Sequence, residues 1–508
     1  MWTQRDQIQA FQFLRRRIVS AMQFGDANHP VAPGRRVMVA TASGLGAMLL
    51  ISGGILVFAV LRPGSTADWR QPGQILIEKE SGAGFVLGAD GLIHPVLNYA
   101  SARLLIGGDR TTSIPARSLA DAPRGRPLGI PDAPASLAAA GSLIDGPWAV
   151  CVTSGAAPPA DTGSGGSDKN GADQNGAAEK GGDRAATTVT TLVVGRPAPP
   201  RQLSPEQGMI VAGPDGSRHL LADGRRMRLR GNAVVALGFD AVQPVPVSAA
   251  WLRAIPEGPE LALLNVPNSG TAGPRFAGER TRVGQVLLVE GVGGEDRYYL
   301  ATRDALVPIG QTEAALIVGN PENRAAYRDG VAGPLTVSAA DVTASGLVER
   351  STGPQKYPAR LPELVLGDGP AAALCAGRTG AGPTQLWTAD APPLPAGSRA
   401  LPVAAEARTS GAAADQVYVT PGAGLLVTGP QTAGKNDAGD KPGADSSLPS
   451  PTYLVTDQGV RFRLRDRAAA AALGYGDAPV TTVDAGLLEL MPSGPELSTE
   501  AARQEKKR

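Results

Sequence analysis

Residues 429–436, Gly-Pro-Gln-Thr-Ala-Gly-Lys-Asn, carry the one nucleotide-like signature of this 508-residue chain, the G-x-x-x-x-G-K spacing of a phosphate-binding loop. Such a loop works because backbone N–H groups cradle the phosphates, the lysine reaches them, and a following hydroxyl holds Mg²⁺ at the start of a helix. Gly429, Gly434 and Lys435 are in place, but Asn436 stands where the hydroxyl is needed, and DAGDKPGAD after it is a poor helix former. ATP is therefore a cofactor only under an alternative reading, a nucleotide hydrolase. No serine has glycines two before and two after it, so the strained elbow of a serine hydrolase is missing. His29, His94 and His219 show no ligand spacing with each other or with cysteine, and no metal site is expected. His94 and His219 stand at matching places in two repeated segments and read as structural, partly exposed residues. Glu295 and Asp296 are adjacent on an extended chain, where neighbours point to opposite sides, and read as a solvated turn. No catalytic residue is expected.

The two cysteines, Cys151 and Cys375, are the remaining candidates, and their chemistry depends on the compartment they face. Residues 37–61 contain no charged side chain. As a helix this segment would be about 37 Å long, more than the roughly 30 Å of hydrocarbon it has to cross. It begins too late and runs too long for a cleaved secretion signal, so it reads as a retained transmembrane helix. Six arginines and two aspartates precede it, whereas Arg62 stands nearly alone just after it. That bias places the N-terminus in the cytoplasm and both cysteines outside it, where a disulfide survives. One disulfide is expected; two independent buried thiols are the bland alternative. The segment beyond residue 61 is close to charge balance and offers no basic field for nucleic acid.

The head, residues 1–36, reads as one amphipathic helix capped by Thr3, with Ile8, Phe11, Leu14, Ile18 and Met22 at three- and four-residue steps. Arg15, Arg16 and Arg17 form a basic cluster that could meet anionic lipid or a partner, or simply enforce topology. Within the span, Ala42 and Gly46 are small residues at helical spacing that would let a neighbouring helix approach closely. With 65 glycines, 44 prolines and 4 % aromatics, the rest is short strands and turns, which excludes an all-helical ectodomain.

Internal repetition is the strongest signal there. Four segments, opening at Gly84, Gly208, Gly284 and Gly424, each read as a short apolar strand, a Gly/Asp-rich turn, a second strand and a helix-like stretch. Asn98, Asp223, Arg303 and Asp457 lie near the end of the second strand. The second and fourth copies correspond further: Ala236-Leu237-Gly238-Phe239 matches Ala472-Leu473-Gly474-Tyr475, and Leu252 and Glu260 match Leu488 and Glu496 in the same register. The ectodomain thus reads as a duplication with pseudo-twofold symmetry. The organisation is a membrane-proximal linker 62–83, repeat 1 at 84–110, a β domain part 111–207 with a flexible loop 154–188, and repeat 2 at 208–265. Repeat 3 follows at 284–321, a second β domain part at 322–420, repeat 4 at 424–497 with a flexible insertion 431–450, and a disordered tail 498–508.

With these features assembled, the chain resembles the EccB family, the single-pass membrane component of the actinobacterial type VII (ESX) secretion system. The resemblance is carried by FQFLRRR before the span, WRQPGQILIEKESGAGFVL and LNYASARLLIG after it, PLGIPDAPASL, DGPWAVC around Cys151 and LCA around Cys375. It implies an α+β fold, with one transmembrane helix and an elongated periplasmic ectodomain of four ββα-type repeats around a central β domain. It also implies a Cys151–Cys375 disulfide. The implied partners are EccC, EccD and EccE type subunits of the inner-membrane complex, further copies of the chain through the periplasmic domain, and peptidoglycan. Some family members carry an ATPase label, for which Lys435 is the only candidate here. The resulting expectation is a structural core subunit, with a nucleotide hydrolase or a peptidoglycan anchor as the rivals.

Overall fold

The computed structural model describes residues 3–28, 35–61, 69–154, 188–196, 202–291, 295–328, 330–349, 356–365, 373–378, 382–408, 411–429 and 451–505. His29, most of the 154–188 loop, the 431–450 insertion with Gly434 and Lys435, and residues 506–508 lie outside them. The chain divides into two compact units, Met1–Gln71 and Pro72–Arg508.

In the first unit α1 spans Gln4–Phe24 and α2 spans Arg35–Leu61. Asp6 anchors the start of α1, its carboxylate accepting from the Thr3 backbone N–H at 3.1 Å and the Thr3 hydroxyl at 2.6 Å. Those bonds hold the Asp6 carboxyl below the usual range. Within α2, Val37–Ile55 has a mean hydropathy of 1.7 and is long and apolar enough to cross a membrane. The Thr41 and Ser43 hydroxyls donate to the Val37 and Val39 carbonyls at 2.6 and 2.7 Å, so neither is left unsatisfied in an apolar surrounding.

The second unit opens with β1 (Ile75–Glu78), β2 (Gly84–Leu87), β3 (Ile93–Pro95), α3 (Tyr99–Ile106) and β4 (Thr111–Ile114), in the sheet order β3-β2-β1-β4. Asp90 shapes the β2–β3 turn by accepting the Leu92 N–H at 3.0 Å, and the Asn98 side chain caps α3 by accepting from Ser101 N–H at 2.9 Å. Next come β5 (Trp148–Ser154) and β6 (Thr188–Val194). The second repeat is β7 (Gln207–Ala212), β8 (Arg218–Ala222), β9 (Arg225–Leu229), α4 (Ala233–Ala236), β10 (Val245–Pro246) and α5 (Ala249–Ala254), ordered β10-β7-β8-β9.

A hairpin, β11 (Ala272–Phe276) and β12 (Glu279–Arg282), leads into the third repeat. That repeat holds β13 (Val286–Val289), β14 (Arg297–Ala301), β15 (Leu306–Ile309), α6 (Gln311–Val318), β16 (Leu335–Thr336) and α7 (Ala339–Ser345), ordered β15-β14-β13-β16. Then follow β17 (Glu363–Leu364), β18 (Ala373–Arg378), β19 (Gln385–Ala389), β20 (Leu401–Pro402) and β21 (Gln416–Val419). The fourth repeat comprises β22 (Leu425–Thr428), β23 (Thr452–Val455), β24 (Arg461–Leu464), α8 (Arg467–Ala472), β25 (Thr481–Thr482) and α9 (Ala485–Glu489), ordered β24-β23-β22-β25; α10 (Thr499–Ala502) ends the described chain.

All four sheets share one plan: three antiparallel strands, then a helix, then a strand that returns parallel to the first. Each ββ pair of the sequence reading is thus two strands of four. In the first repeat the pair opening at Gly84 is the second and third strand, and the sheet starts earlier, at Ile75. Asn98 therefore does precede a helix. Asp223, Arg303 and Asp457 instead sit in turns between second and third strands, a strand short of the helix. The tail also differs from the expectation. Ser498 caps α10, Ala502 is fully buried, and Glu505 pairs with Arg126 at 2.8 Å, so residues 498–505 are held by the first repeat's surroundings rather than disordered.

The central sheet runs β19-β18-β5-β6-β21-β20. Along β5 the side chains alternate: Trp148, Val150 and Val152 enter one core with Trp251 and Leu252 of α5 and Leu487 and Leu488 of α9, while Ala149 and Cys151 enter another with Trp387 and Tyr418. Helices α5 and α9, from repeats two and four, thus cover one face together. The Trp251 indole N–H donates to the Val150 carbonyl at 3.1 Å, which satisfies the polar end of a fully buried ring.

Repeats also pack crosswise. Leu104 of α3 shares a core with Leu473 and Tyr475, as Leu316 of α6 does with Leu237 and Phe239. The Arg103 guanidinium donates to the Leu473 carbonyl at 3.1 Å, and the Tyr475 hydroxyl donates to Ala138 O at 2.7 Å, burial having pushed its pKa up to about 12. Segment 142–144 after the first repeat pairs with Gly424 at the head of β22, and β17 after the third repeat pairs with β7. Each half thereby lends a strand to the other.

Helix α9 approaches α5 so closely that a Cβ at Gly486 would overlap the Arg253 carbonyl oxygen. Gly486→Ala has to push two helices of the core apart, and is expected to cost about 1–3 kcal/mol, read as a lowered unfolding midpoint of the full-length chain.

Candidate functional site

The best-defined chemical feature is the bond between the halves. Cys151 on β5 and Cys375 on β18 are directly opposite in an antiparallel pair that runs from Trp148↔Arg378 to Thr153↔Ala373. Both are fully buried and joined at an S–S distance of 2.01 Å. β5 follows the first repeat and β6 leads toward the second; β18 follows the third and β19 stands to it as β6 does to β5. The local twofold therefore runs between Cys151 and Cys375. A bridge spanning 224 residues constrains the unfolded chain strongly, by about 5 kcal/mol on loop-entropy grounds.

The phosphate-loop candidate lies in a different kind of place. Gly429 directly follows β22, while Gly434 and Lys435 are outside the described residues. The chain re-enters as β23, antiparallel to β22 with Thr428 opposite Thr452. The described strands on either side thus pair with each other as an antiparallel couple, whereas a phosphate loop leads from a strand into a helix.

The histidines are buried rather than partly exposed, at 6 % for His94 and 5 % for His219, and they occupy different strands, β3 and β8. The missed strand of the first repeat explains the false match. His94 Nδ1 faces the Arg126 carbonyl at 2.8 Å and Nε2 faces the Asp90 carboxylate at 3.1 Å, in a slot where a Cβ on Gly125 would strike the ring. It is a tie between a turn and the following segment. His219 meets the Ser217 hydroxyl at 3.0 Å through Nε2. Its burial, then the charges of Arg226 and Arg228, hold its pKa below the ordinary value. Glu295 and Asp296 diverge: Glu295 reaches Arg360 at 3.9 Å, while Asp296 accepts the Gly291 N–H at 3.2 Å.

In the first unit Arg15, Arg16 and Arg17 are exposed on α1, and so are Phe11, Leu14 and Met22. Ala42 and Gly46 are exposed on α2, with open space beside Gly46.

A feature the sequence reading overlooked is a pair of arginine ladders. Arg226, Arg228 and Arg230 on and just after β9 match Arg461, Arg463 and Arg465 on and just after β24. The last rung of each binds the matched glutamate: Arg230 pairs with Glu260, and Arg465 with Glu496 at 3.2 Å. These pairs fasten the segment after each repeat back onto its third strand, beside the matched bridges Leu229↔Leu261 and Leu464↔Leu497. The R-x-R-x-R spacing was the available signal.

Comparison with known proteins matches residues 1–507 to the family described as type VII secretion system ESX-1, transport TM domain B, EccB. The chain belongs to the EccB family. EccB proteins are core membrane subunits of type VII secretion, and this chain is one of them. The protein named ESX-3 secretion system ATPase EccB3 of Mycolicibacterium smegmatis is 30 % identical over 517 residues, covering 97 % of this chain and 89 % of that one. ESX-5 secretion system ATPase EccB5 of Mycobacterium tuberculosis is 29 % identical, covering 97 % and 92 %. Among solved structures, a chain of an intact ESX-5 inner membrane complex matches with a TM-score of 0.63 at 26 % identity, covering 100 % of this chain and 96 % of its own. A chain of the EccB3 dimer from the ESX-3 core complex matches with a TM-score of 0.61 at 25 % identity, covering 85 % and 99 %.

Replacing Cys151 and Cys375 together by Ala is expected to lower the unfolding midpoint, with a loss approaching the loop-closure value of about 5 kcal/mol. For His219 the sign follows from its depressed pKa. The unfolded chain takes up a proton first as the pH falls below about 6.5, so the stability contributed by the neutral ring is present above that value and lost below it. Unfolding midpoints measured from pH 7 to 5 should fall more in the wild type than in His219→Leu.

Proposed function

We propose that this EccB chain is a non-enzymatic scaffold of its secretion complex. Its N-terminus faces the cytoplasm, its Val37–Ile55 segment spans the inner membrane beside EccC, EccD and EccE type subunits, and Pro72–Arg508 forms a periplasmic assembly with further copies of itself. ATP is not required. The observation that carries this reading is the end-to-end likeness to a chain within an intact ESX-5 inner membrane complex. The arginine-rich head supports the orientation, since positive residues favour the cytoplasmic side. A disulfide in the core supports an oxidising compartment. Self-association is supported by the EccB3 chain having been solved as a dimer.

The relatives' names suggest a second reading, an ATPase using Lys435. The antiparallel pairing of Thr428 with Thr452 speaks against it, because the chain returns from the 429–451 excursion as a strand.

Detergent extraction followed by native mass analysis should return a multi-protein assembly holding more than one copy of this chain. A monomer alone would overturn the scaffold reading. The same extraction and an export assay on Lys435→Ala should be unchanged; an intact assembly that no longer exports would restore the ATPase.

A further inference from the structure

Ahead of β13 stands a hairpin, β11–β12, for which the described residues ahead of β1 hold no counterpart. It walls a cleft with a cavity of about 530 Å³, within the range of built binding pockets. The floor is apolar, made by Phe276, Leu287 and Val337. Its lips are apolar too: Val331 is 78 % exposed and Leu335 41 %.

The rim is cationic. Arg280 of β12 and Arg328 line the cleft, both exposed, and Arg275 lies directly across the hairpin from Arg280. Like charges in directly opposed cross-strand positions repel. No carboxylate among the described residues forms an ion pair with any of these three arginines. Among the described residues Glu279 is the one carboxylate lining the cleft, and it forms an ion pair with neither lining arginine. Among the described residues the hairpin thus carries three arginines against one glutamate beside the cleft, Arg275, Arg280 and Arg282 against Glu279. The last rungs of the two arginine ladders, by contrast, are each met by a glutamate.

The complement of such a surface is an apolar side chain flanked by carboxylates. The cleft lies between β12 and the two-residue strand β16, bordered by Leu335 of that strand and by Val337 just after it, so it suits an extended segment rather than a compact group. Its volume accommodates a few side chains and is too small for a diacyl lipid tail. We propose that the β11–β12 cleft is a docking site for an acidic, apolar-anchored peptide segment of a partner protein. One or two apolar side chains fill the cavity, and its carboxylates meet Arg280 and Arg328.

The test uses the full-length chain in detergent and fluorescence anisotropy of a labelled Asp-Leu-Glu-Phe-Glu-Asp peptide. Saturable binding is expected, weakened about tenfold or more by Arg280→Glu with Arg328→Glu, and largely kept by Arg280→Lys with Arg328→Lys. Leu335→Ser with Val331→Ser should also weaken it, because the anchor loses its lips. All four positions changed here are surface or rim positions, and the lysine variant controls for folding. The proposal is overturned by absence of saturable binding, by equal binding of the Lys-Leu-Lys-Phe-Lys-Lys counterpart, or by charge reversal without effect. Displacement of the peptide by phosphatidylglycerol vesicles would assign the surface to lipid and equally overturn it.

Discussion

The antiparallel pairing of β5 with β18 is the contact on which the Pro72–Arg508 unit is organised. Each strand is the first central element of its own half, and each follows a complete repeat. Their hydrogen bonds bring the halves together about a local axis, and Cys151–Cys375 makes that pairing covalent at its centre. Around it the alternation of β5 fixes two cores at once, one roofed by α5 and α9, the other holding the disulfide, Trp387 and Tyr418. A one-residue slip of β5 against β18 would turn Trp148 and Val150 out of the helix-covered core and part the two sulfurs. Hydrophobic burial and the disulfide therefore specify the same register.

The repeats depend on that arrangement in turn. A four-stranded sheet with one or two short helices has little apolar surface to bury by itself. Here each repeat is completed from outside: the first packs α3 on the fourth repeat, the third packs α6 on the second, and the second and fourth share the central sheet through α5 and α9. Segment 142–144 and β17 then cover an edge of the fourth and second sheets. Covering edges removes unpaired backbone groups that would otherwise recruit stray strands.

Much of this was legible, and the rest was hidden for physical reasons. The matched run from Ala236 and Ala472 onward showed the duplication because it includes buried positions, Leu237 with Leu473 and Leu261 with Leu497, whose packing permits few substitutions. Turn and cap residues such as Asp90, Asn98 and Thr3 signalled their own geometry. The third strands were missed because RRMRL and RFRL alternate arginine with Met227, Leu229, Phe462 and Leu464, leaving too few apolar residues to read as a strand beside a turn. In the first repeat the strand missed was instead the first, β1, which misplaced the start of that repeat and made His94 and His219 look equivalent. The tail was read as disordered because its order comes from contacts made far away in sequence, at Arg126 and Leu128. Two-residue strands such as β10, β16 and β25 carry no periodicity at all; they exist because a helix returns the chain beside a strand already formed.

The placement of Cys151 opposite Cys375 bears on where this unit came from. A residue on a twofold axis meets its own image, so in a protein built of one half alone the corresponding cysteine would have faced the same cysteine of a second subunit. The strand-lending segments would likewise have crossed between subunits. The present unit thus has the symmetry of an isologous dimer within one chain, with the bond on its axis internal and its two matched surfaces free to differ. The β11–β12 hairpin, without a counterpart among the described residues ahead of β1, is one such difference.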